Sequence, residues 1–390
     1  MSGALKRDEW ETVRLGDVAT YVNGYAFKPT DWEEDGLPII RIQNLTGNDY
    51  QTNYSSKSYP AKYYVDDGDV LISWSASLGV HKWNRGKALL NQHIFKVVFD
   101  KIDVNRDYFI YAVSYLLEDM ARESHGSTMK HITKPRFDKT AFPLPPLDVQ
   151  RRIAETLDKV TELITLRKTQ LEKLDELVKA RFVELFGEPI SNPMGWKTDY
   201  LKNVTNKIGS GATPKGGKES YQAEGITLIR SMNVHDGRFE YKDLAHITDE
   251  QAKQLENVTI EENDVFINIT GASVARSCIV PKHILPARVN QHVAIIRCIT
   301  SILNPVFANN MFLNHSFKGQ LLDIGETGGA TRQAITKQQL ETLEVILPPI
   351  ELQEQFAAFV EQTDKSKVII QQSLDTLETL KKSLMQEYFE

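Results

Sequence analysis

The sequence predicts an α+β protein with an internal repeat, in which two mixed α/β globular halves are each followed by a long coiled-coil helix. Three observations carry that reading: collinear matches between the two parts of the 390 residues, heptad-spaced apolar residues in two long stretches, and short strand-like runs separated by glycine- and Asn-rich loops. The segments run in the order 1–145 (first half), 146–187 (first helix), 188–348 (second half) and 349–390 (second helix).

The repeat is read directly from the residues. Trp10, Leu15 and Val18 match Trp196, Leu201 and Val204 at an offset of 186, and Ile40-Arg41 match Ile229-Arg230 at 189. Asp69-Val70-Leu71-Ile72 reappear as Asp264-Val265-Phe266-Ile267 at 195, and Asn91-Gln92-His93 as Asn290-Gln291-His292 at 199. Residues 126–154 then align with 329–357 at a constant 203, with ten identities in twenty-nine positions. Five collinear matches identify a duplication. The growing offset places insertions in loops, where extra length costs little.

Within the halves, strand-like runs cover Leu37–Ile42, Asp69–Ser73, Ile94–Phe99, Val265–Ile269 and Val293–Arg297. Asn105–Glu123 and Asn304–Leu322 have the apolar faces of helices. Past Pro145-Pro146, residues 147–186 lack proline and glycine. There Leu157, Ile164, Leu171, Val178 and Leu185 keep strict heptad steps, with Leu174 in the same seam. Gly187 and Pro189 supply the stop. The second copy gives Phe356, Val360, Thr363, Ile370, Leu374, Leu377 and Leu384. Arg167, Arg181, Lys367 and Lys381 intrude on the two seams. Each helix alone would leave an apolar stripe in water, so the two are expected to pair.

Composition narrows the function. The first half holds 18 basic and 19 acidic residues and the second, through residue 350, 16 and 17, within a net charge of −6. Neither half is a polycation, so duplex DNA binding would need partner chains to supply much of the phosphate attraction. The charged N-terminus, the absence of a long apolar run and the two cysteines, Cys278 and Cys298, lead us to expect a reduced, cytoplasmic protein without a membrane span. The Gly211–Lys218 stretch lacks phosphate-loop spacing, with Glu219 where Ser or Thr should stand. No dinucleotide fingerprint, adenine-methyltransferase tetrapeptide or clustered metal-ligand spacing is present in the sequence.

The order of elements resembles the specificity subunits of type I restriction-modification enzymes. The resemblance rests on Leu144-Pro145-Pro146-Leu147 with Gln150, the heptad helix, Glu184-Leu185-Phe186-Gly187, and Asn192-Pro193-Met194-Gly195-Trp196. Asp69-Val70-Leu71-Ile72 and Asn91-Gln92-His93 also look like this family, and the likeness spans essentially the whole chain. It implies two target-recognition domains separated by a pair of antiparallel coiled-coil helices with pseudo-twofold symmetry, each domain reading half of a split DNA target. It further implies that this chain is not catalytic and carries no cofactor. Two methyltransferase subunits would bind S-adenosylmethionine and methylate adenine N6, and two motor-nuclease restriction subunits would use ATP and Mg. The competing class, a fused DNA methyltransferase or nuclease with an unrecognised active site, predicts methyl transfer or cleavage by the pure chain.

The duplication also sorts candidate DNA contacts. Residues shared by two halves that read different sequences should be structural or touch phosphate, whereas readout belongs where matched positions differ. Asn91, Gln92, Asn290 and Gln291 are open to base-edge, phosphate or structural roles, and Arg41 and Arg230 to phosphate contact or an internal ion pair. Better candidates for readout are the differing triplets Met129-Lys130-His131 and Arg332-Gln333-Ala334, since Arg and Lys suit guanine and Gln suits adenine. The loops containing Trp74, His81 and Lys82 differ likewise from those containing Thr270 and Arg276, and Lys28 and Lys215 follow glycine-containing loops.

Overall fold

The computed structural model describes residues 10–47, 52–123, 132–214, 216–326 and 333–390. The chain falls into two units, Met1–Lys168 with Gln372–Glu390, and Thr169–Gln371.

In the first unit an antiparallel sheet has the strand order Thr20–Asn23, Ile94–Val98, Val70–Ser73, Gly79–Lys82. A second sheet runs Asn53–Ser55, Leu37–Ile40, Ala88–Leu90, Tyr64–Val65, with one parallel pair, Ile39 opposite Leu89. Both faces of Val70–Ser73 are buried, which explains why this strand reads as a continuous apolar run. One face packs with Tyr108, Phe109, Phe137 and Phe142, and the other with Ile40, Trp83 and Leu90.

The second unit repeats this plan. Its antiparallel sheet runs Thr205–Ser210, Val293–Cys298, Val265–Asn268, Ser277–Ile279. A three-stranded sheet, Ala245–Ile247, Ile226–Ile229, Ala287–Val289, again contains one parallel pair. Each unit also has a two-stranded ribbon, Glu11–Arg14 with Ala141–Leu144 and Lys197–Tyr200 with Glu344–Leu347.

Two sequence expectations are corrected here. Asn304–Leu322 is two helices, Pro305–Leu313 and His315–Glu326. Asn314 breaks them because its carboxamide oxygen accepts from Ser316 N (3.0 Å) and Ser316 Oγ (2.8 Å), a local alternative to the helix ladder. The Leu37–Ile42 strand stops at Ile40, where Asn44 Oδ1 accepts from Arg41 N (2.9 Å) and turns the chain.

The long helices span Leu147–Phe186 and Ile350–Phe389. In the first unit Leu157, Ile164, Leu374 and Phe389 are buried, with Leu377 and Leu384 half-buried beside them. In the second, Val178, Phe182, Phe186 and Phe356 are buried, with Leu171, Leu174, Leu185, Val360 and Ile370 half-buried. Lys168 pairs with Glu378 at 2.9 Å, Lys367 with Asp175 at 2.7 Å, and Phe186 meets Phe356 at 5.5 Å, so one helix descends as the other rises. The intruding cations are accommodated: Arg167 Nε donates to Ser373 Oγ (3.2 Å), and the Lys381 ammonium lies 5.8 Å from the Tyr111 ring centre. After Phe186, Gly187 adopts φ +72°, a left-handed conformation that glycine takes without strain, and Trp196 Nε1 caps the Phe186 carbonyl at 2.9 Å.

Each globular half is fastened to its helix by a matched glutamine. Gln150 Oε1 accepts from Asn105 N (2.9 Å) while its Nε2 donates to the Pro145 carbonyl (2.7 Å). Gln353 repeats this with Asn304 N (2.9 Å) and the Pro348 carbonyl (2.8 Å), and adds the Ile302 carbonyl (3.1 Å). Both side chains are buried. Gln353→Leu is expected to leave these backbone groups unpaired at a cost of about 3 kcal/mol. A denaturant midpoint within experimental error of the parent would contradict that fastening role.

Candidate nucleic-acid interface

The matched Asp-Val strands begin on a buried ion pair in the second unit. Asp264 is fully buried and accepts from Arg297 Nε and Nη2, both at 2.8 Å, and from Glu261 N at 2.8 Å. In the first unit Asp69 accepts from Asp66 N (2.9 Å) and pairs with Lys96 at 2.7 Å, but both side chains are partly exposed. The shared Asp-Val motif therefore holds a turn and a cation.

Asn91 and Asn290 serve as turn formers. Asn91 Oδ1 accepts from Gln92 N (2.7 Å), and Asn290 Oδ1 from His292 N (3.0 Å). Their backbone N–H groups reach the equivalent carbonyls of Ile40 (3.3 Å) and Ile229 (3.0 Å). Around these turns the two units diverge. Gln92 N donates to the Tyr25 carbonyl at 3.0 Å, and Tyr25 packs with Phe27, Tyr59 and Tyr63 at centroid separations of 5.0, 5.1 and 5.4 Å. Ala212 and Pro214 stand at the positions matching Tyr25 and Phe27 in the second unit. Gly24 and Gly211 permit the close approach of this loop, since a Cβ would sit 2.1 Å from the Asn91 carbonyl oxygen or 1.7 Å from that of Val289.

In the second unit the equivalent surface is a polar chain. Thr213 Oγ1 donates to Gln291 Oε1 (2.6 Å), and Gln291 Nε2 meets His292 Nε2 at 3.0 Å. An amide nitrogen only donates, so His292 Nε2 accepts and its Nδ1–H faces Thr270 Oγ1. Gln333 lies beside them: its carbonyl accepts from Gly271 N (2.9 Å), and its Nε2 donates to Glu326 Oε1 (2.9 Å). The geometry thus gathers Thr270, Gln291 and Gln333 into one place.

Other sequence candidates are scattered. Trp74 is half-buried, stacks on Phe95 (5.6 Å, 21°) beside His93 and packs against the edge of its unit's core. His81 is half-buried, and burial followed by the neighbouring Arg85 charge holds its pKa below the usual imidazole value. Lys82 pairs with Asp107 at 3.0 Å, and Lys28 is exposed. Arg276 is half-buried, with its carbonyl accepting from Asn268 N. Lys130, Lys215 and Arg332 lie outside the described residues. Burial pushes the Cys278 and Cys298 thiols up to about 12, which makes both poor nucleophiles at neutral pH.

Sequence reading passed over Trp32, Tyr221, Asn44 and Asn233. The 189 offset seen at Arg41 and Arg230 continues through them and would have found them. The Arg41 guanidinium lies 4.7 Å from the Trp32 ring centre, and that of Arg230 lies 5.5 Å from that of Tyr221.

Comparison with known proteins agrees with the duplicated architecture. The chain is 26% identical to the EcoBI type I restriction enzyme specificity subunit of Escherichia coli, over 98% of this chain and 86% of the relative. It is 20% identical to the MjaVIII specificity subunit of Methanocaldococcus jannaschii, over 99% and 93% respectively. The fold matches the S subunit of a type I restriction-modification system from M. genitalium with a TM-score of 0.57 at 14% identity, covering 98% of this chain and 96% of that one. It also matches a chain from a structural study of type I R-M complex assembly, with a TM-score of 0.58 at 18% identity, covering 98% and 97%. The type I restriction modification DNA specificity domain matches twice, over residues 7–176 and 193–379, and the chain belongs to that family.

Proposed function

We propose that this chain is the DNA-reading, non-catalytic subunit of a type I restriction-modification enzyme. Each unit reads one half of a bipartite duplex target. The long helices serve as the spacer and as the mount for two methyltransferase subunits, which supply S-adenosylmethionine and methylate adenine N6. Two restriction subunits add the ATP- and Mg-dependent motor and nuclease.

One observation supports this reading above the others. Scaffold contacts recur at matched positions (Gln150 and Gln353, Asn91 and Asn290, Asp69 and Asp264), while the surfaces beside them differ in chemistry. Such a pattern suits one framework presenting two different readers, because shared groups position and differing groups specify.

The chain should be expressed with its methyltransferase partner in a host lacking other adenine methylation, and the methylated positions sequenced. We expect adenine methylation confined to a single two-part motif, absent when either chain is omitted. The same motif produced by the methyltransferase alone would overturn the proposal, as would methyl transfer by this chain alone.

A further inference from the structure

We infer that Arg41 and Arg230 are a duplicated pair of DNA phosphate anchors, one in each unit, each held ready by an aromatic ring. The inference rests on the DNA-reading function proposed above and assigns these two side chains a sequence-independent part in it.

The two sites repeat residue by residue. Trp32, Arg41 and Asn44 in the first unit match Tyr221, Arg230 and Asn233 in the second, all at an offset of 189. Asn44 Oδ1 accepts from Arg41 N (2.9 Å), and Asn233 Oδ1 accepts from Arg230 N (3.1 Å), so the same carboxamide fixes the backbone beneath each arginine. Each guanidinium then lies against its ring. Stacking covers a face of the cation and restricts a long side chain, which leaves the planar fork preorganised for an oxyanion.

What is missing is the acceptor. Arg41 Nε and Arg230 Nε are both buried without a hydrogen-bond partner among the described residues, and neither guanidinium forms an ion pair there. In the second unit Arg230 Nη2 reaches the Asp243 carbonyl, which still leaves Nε unmatched. A buried donor in the same condition at both copies of a repeat points to a ligand common to both. The surrounding loops differ, with an aromatic cluster on one unit and the Thr213–Gln291–His292–Thr270 chain on the other. A base-reading arginine would have no reason to be shared by readers of different sequences. The acceptor common to every duplex is the phosphate oxygen, which an arginine fork meets with two parallel bonds.

The test uses the complete assembly of this chain with its methyltransferase partner. Arg41→Gln, Arg230→Gln and the double variant are titrated with a duplex carrying the methylated motif and with a scrambled duplex, across a salt series. We expect each single change to weaken binding about tenfold on both duplexes, and the double change about a hundredfold. The slope of log affinity against log salt should become shallower by about one per arginine, with the methylated motif unchanged. Where a Gln variant fails to fold, Arg41→Lys and Arg230→Lys carry the test: they keep the charge, and should keep the salt slope while losing affinity. Unchanged affinity with a lowered melting temperature would show a purely structural arginine. Relaxed methylation in only one half of the motif would show base readout. Either outcome overturns the inference while leaving the DNA-reading function standing. A parent assembly with no sequence preference would remove that function, and this inference with it.

Discussion

Replacing Arg297 with alanine is expected to destabilise the second unit by about 3–5 kcal/mol, more than most single changes in a protein. Asp264 has no exposed side-chain surface, and Arg297 supplies its only ion pair among the described residues. Removing the arginine leaves a buried carboxylate without its counter-charge, and that cost greatly exceeds the net worth of the intact pair. The first unit contains its own control. Lys96–Asp69 is equally short at 2.7 Å, but its side chains are 20% and 25% exposed, so water can solvate whichever partner remains. Lys96→Ala should therefore cost about 1 kcal/mol. Thermal unfolding of the two variants checks the contrast, with a drop of about 10 °C expected for Arg297→Ala. Equal shifts in the two variants would mean that burial does not set the cost of losing the cation.

The second large effect concerns partners. Purified alone, the chain is expected to bind duplex DNA with micromolar affinity or weaker, and about a thousandfold more tightly once the methyltransferase subunits proposed above are present. The halves carry 18 basic against 19 acidic residues and 16 against 17, so neither offers a phosphate-binding field of its own. The assembled complex should also show a steeper salt slope, because its partners release the additional counterions. Fluorescence anisotropy on a labelled duplex, with and without partner, measures both quantities. Nanomolar, sequence-selective binding by the chain alone would refute the expectation.

How legible this protein is from its sequence depends on the length scale of the physics involved. The repeat and the long helices are plain because heptad spacing and collinear matches are written along the chain. Leu157, Ile164, Val178, Phe356 and Leu374 sit buried as that spacing requires. The Asn314 break escaped notice because it depends on one side chain competing with the backbone, which periodicity does not register. The packing of Trp74 on Phe95 and beside His93 is equally out of reach, since neither partner adjoins it in sequence. Similarly, the link from Thr270 through His292 and Gln291 to Thr213 joins residues up to 78 positions apart and becomes visible only in three dimensions.

The matched fastening by Gln150 and Gln353 bears on how such a protein changes over time. Each glutamine joins the proline-rich entry of its helix to the backbone N–H of an asparagine, Asn105 or Asn304, that opens a helix of the globular half. Because the socket is chemically the same in both copies, a genetic exchange that moves a half together with its helix entry carries a working socket with it. The incoming loops then arrive already seated, and no new joint has to be selected. The joint and the loops it seats are therefore separable parts, so a half exchanged at this boundary is expected to keep its own target preference on the recipient's helices.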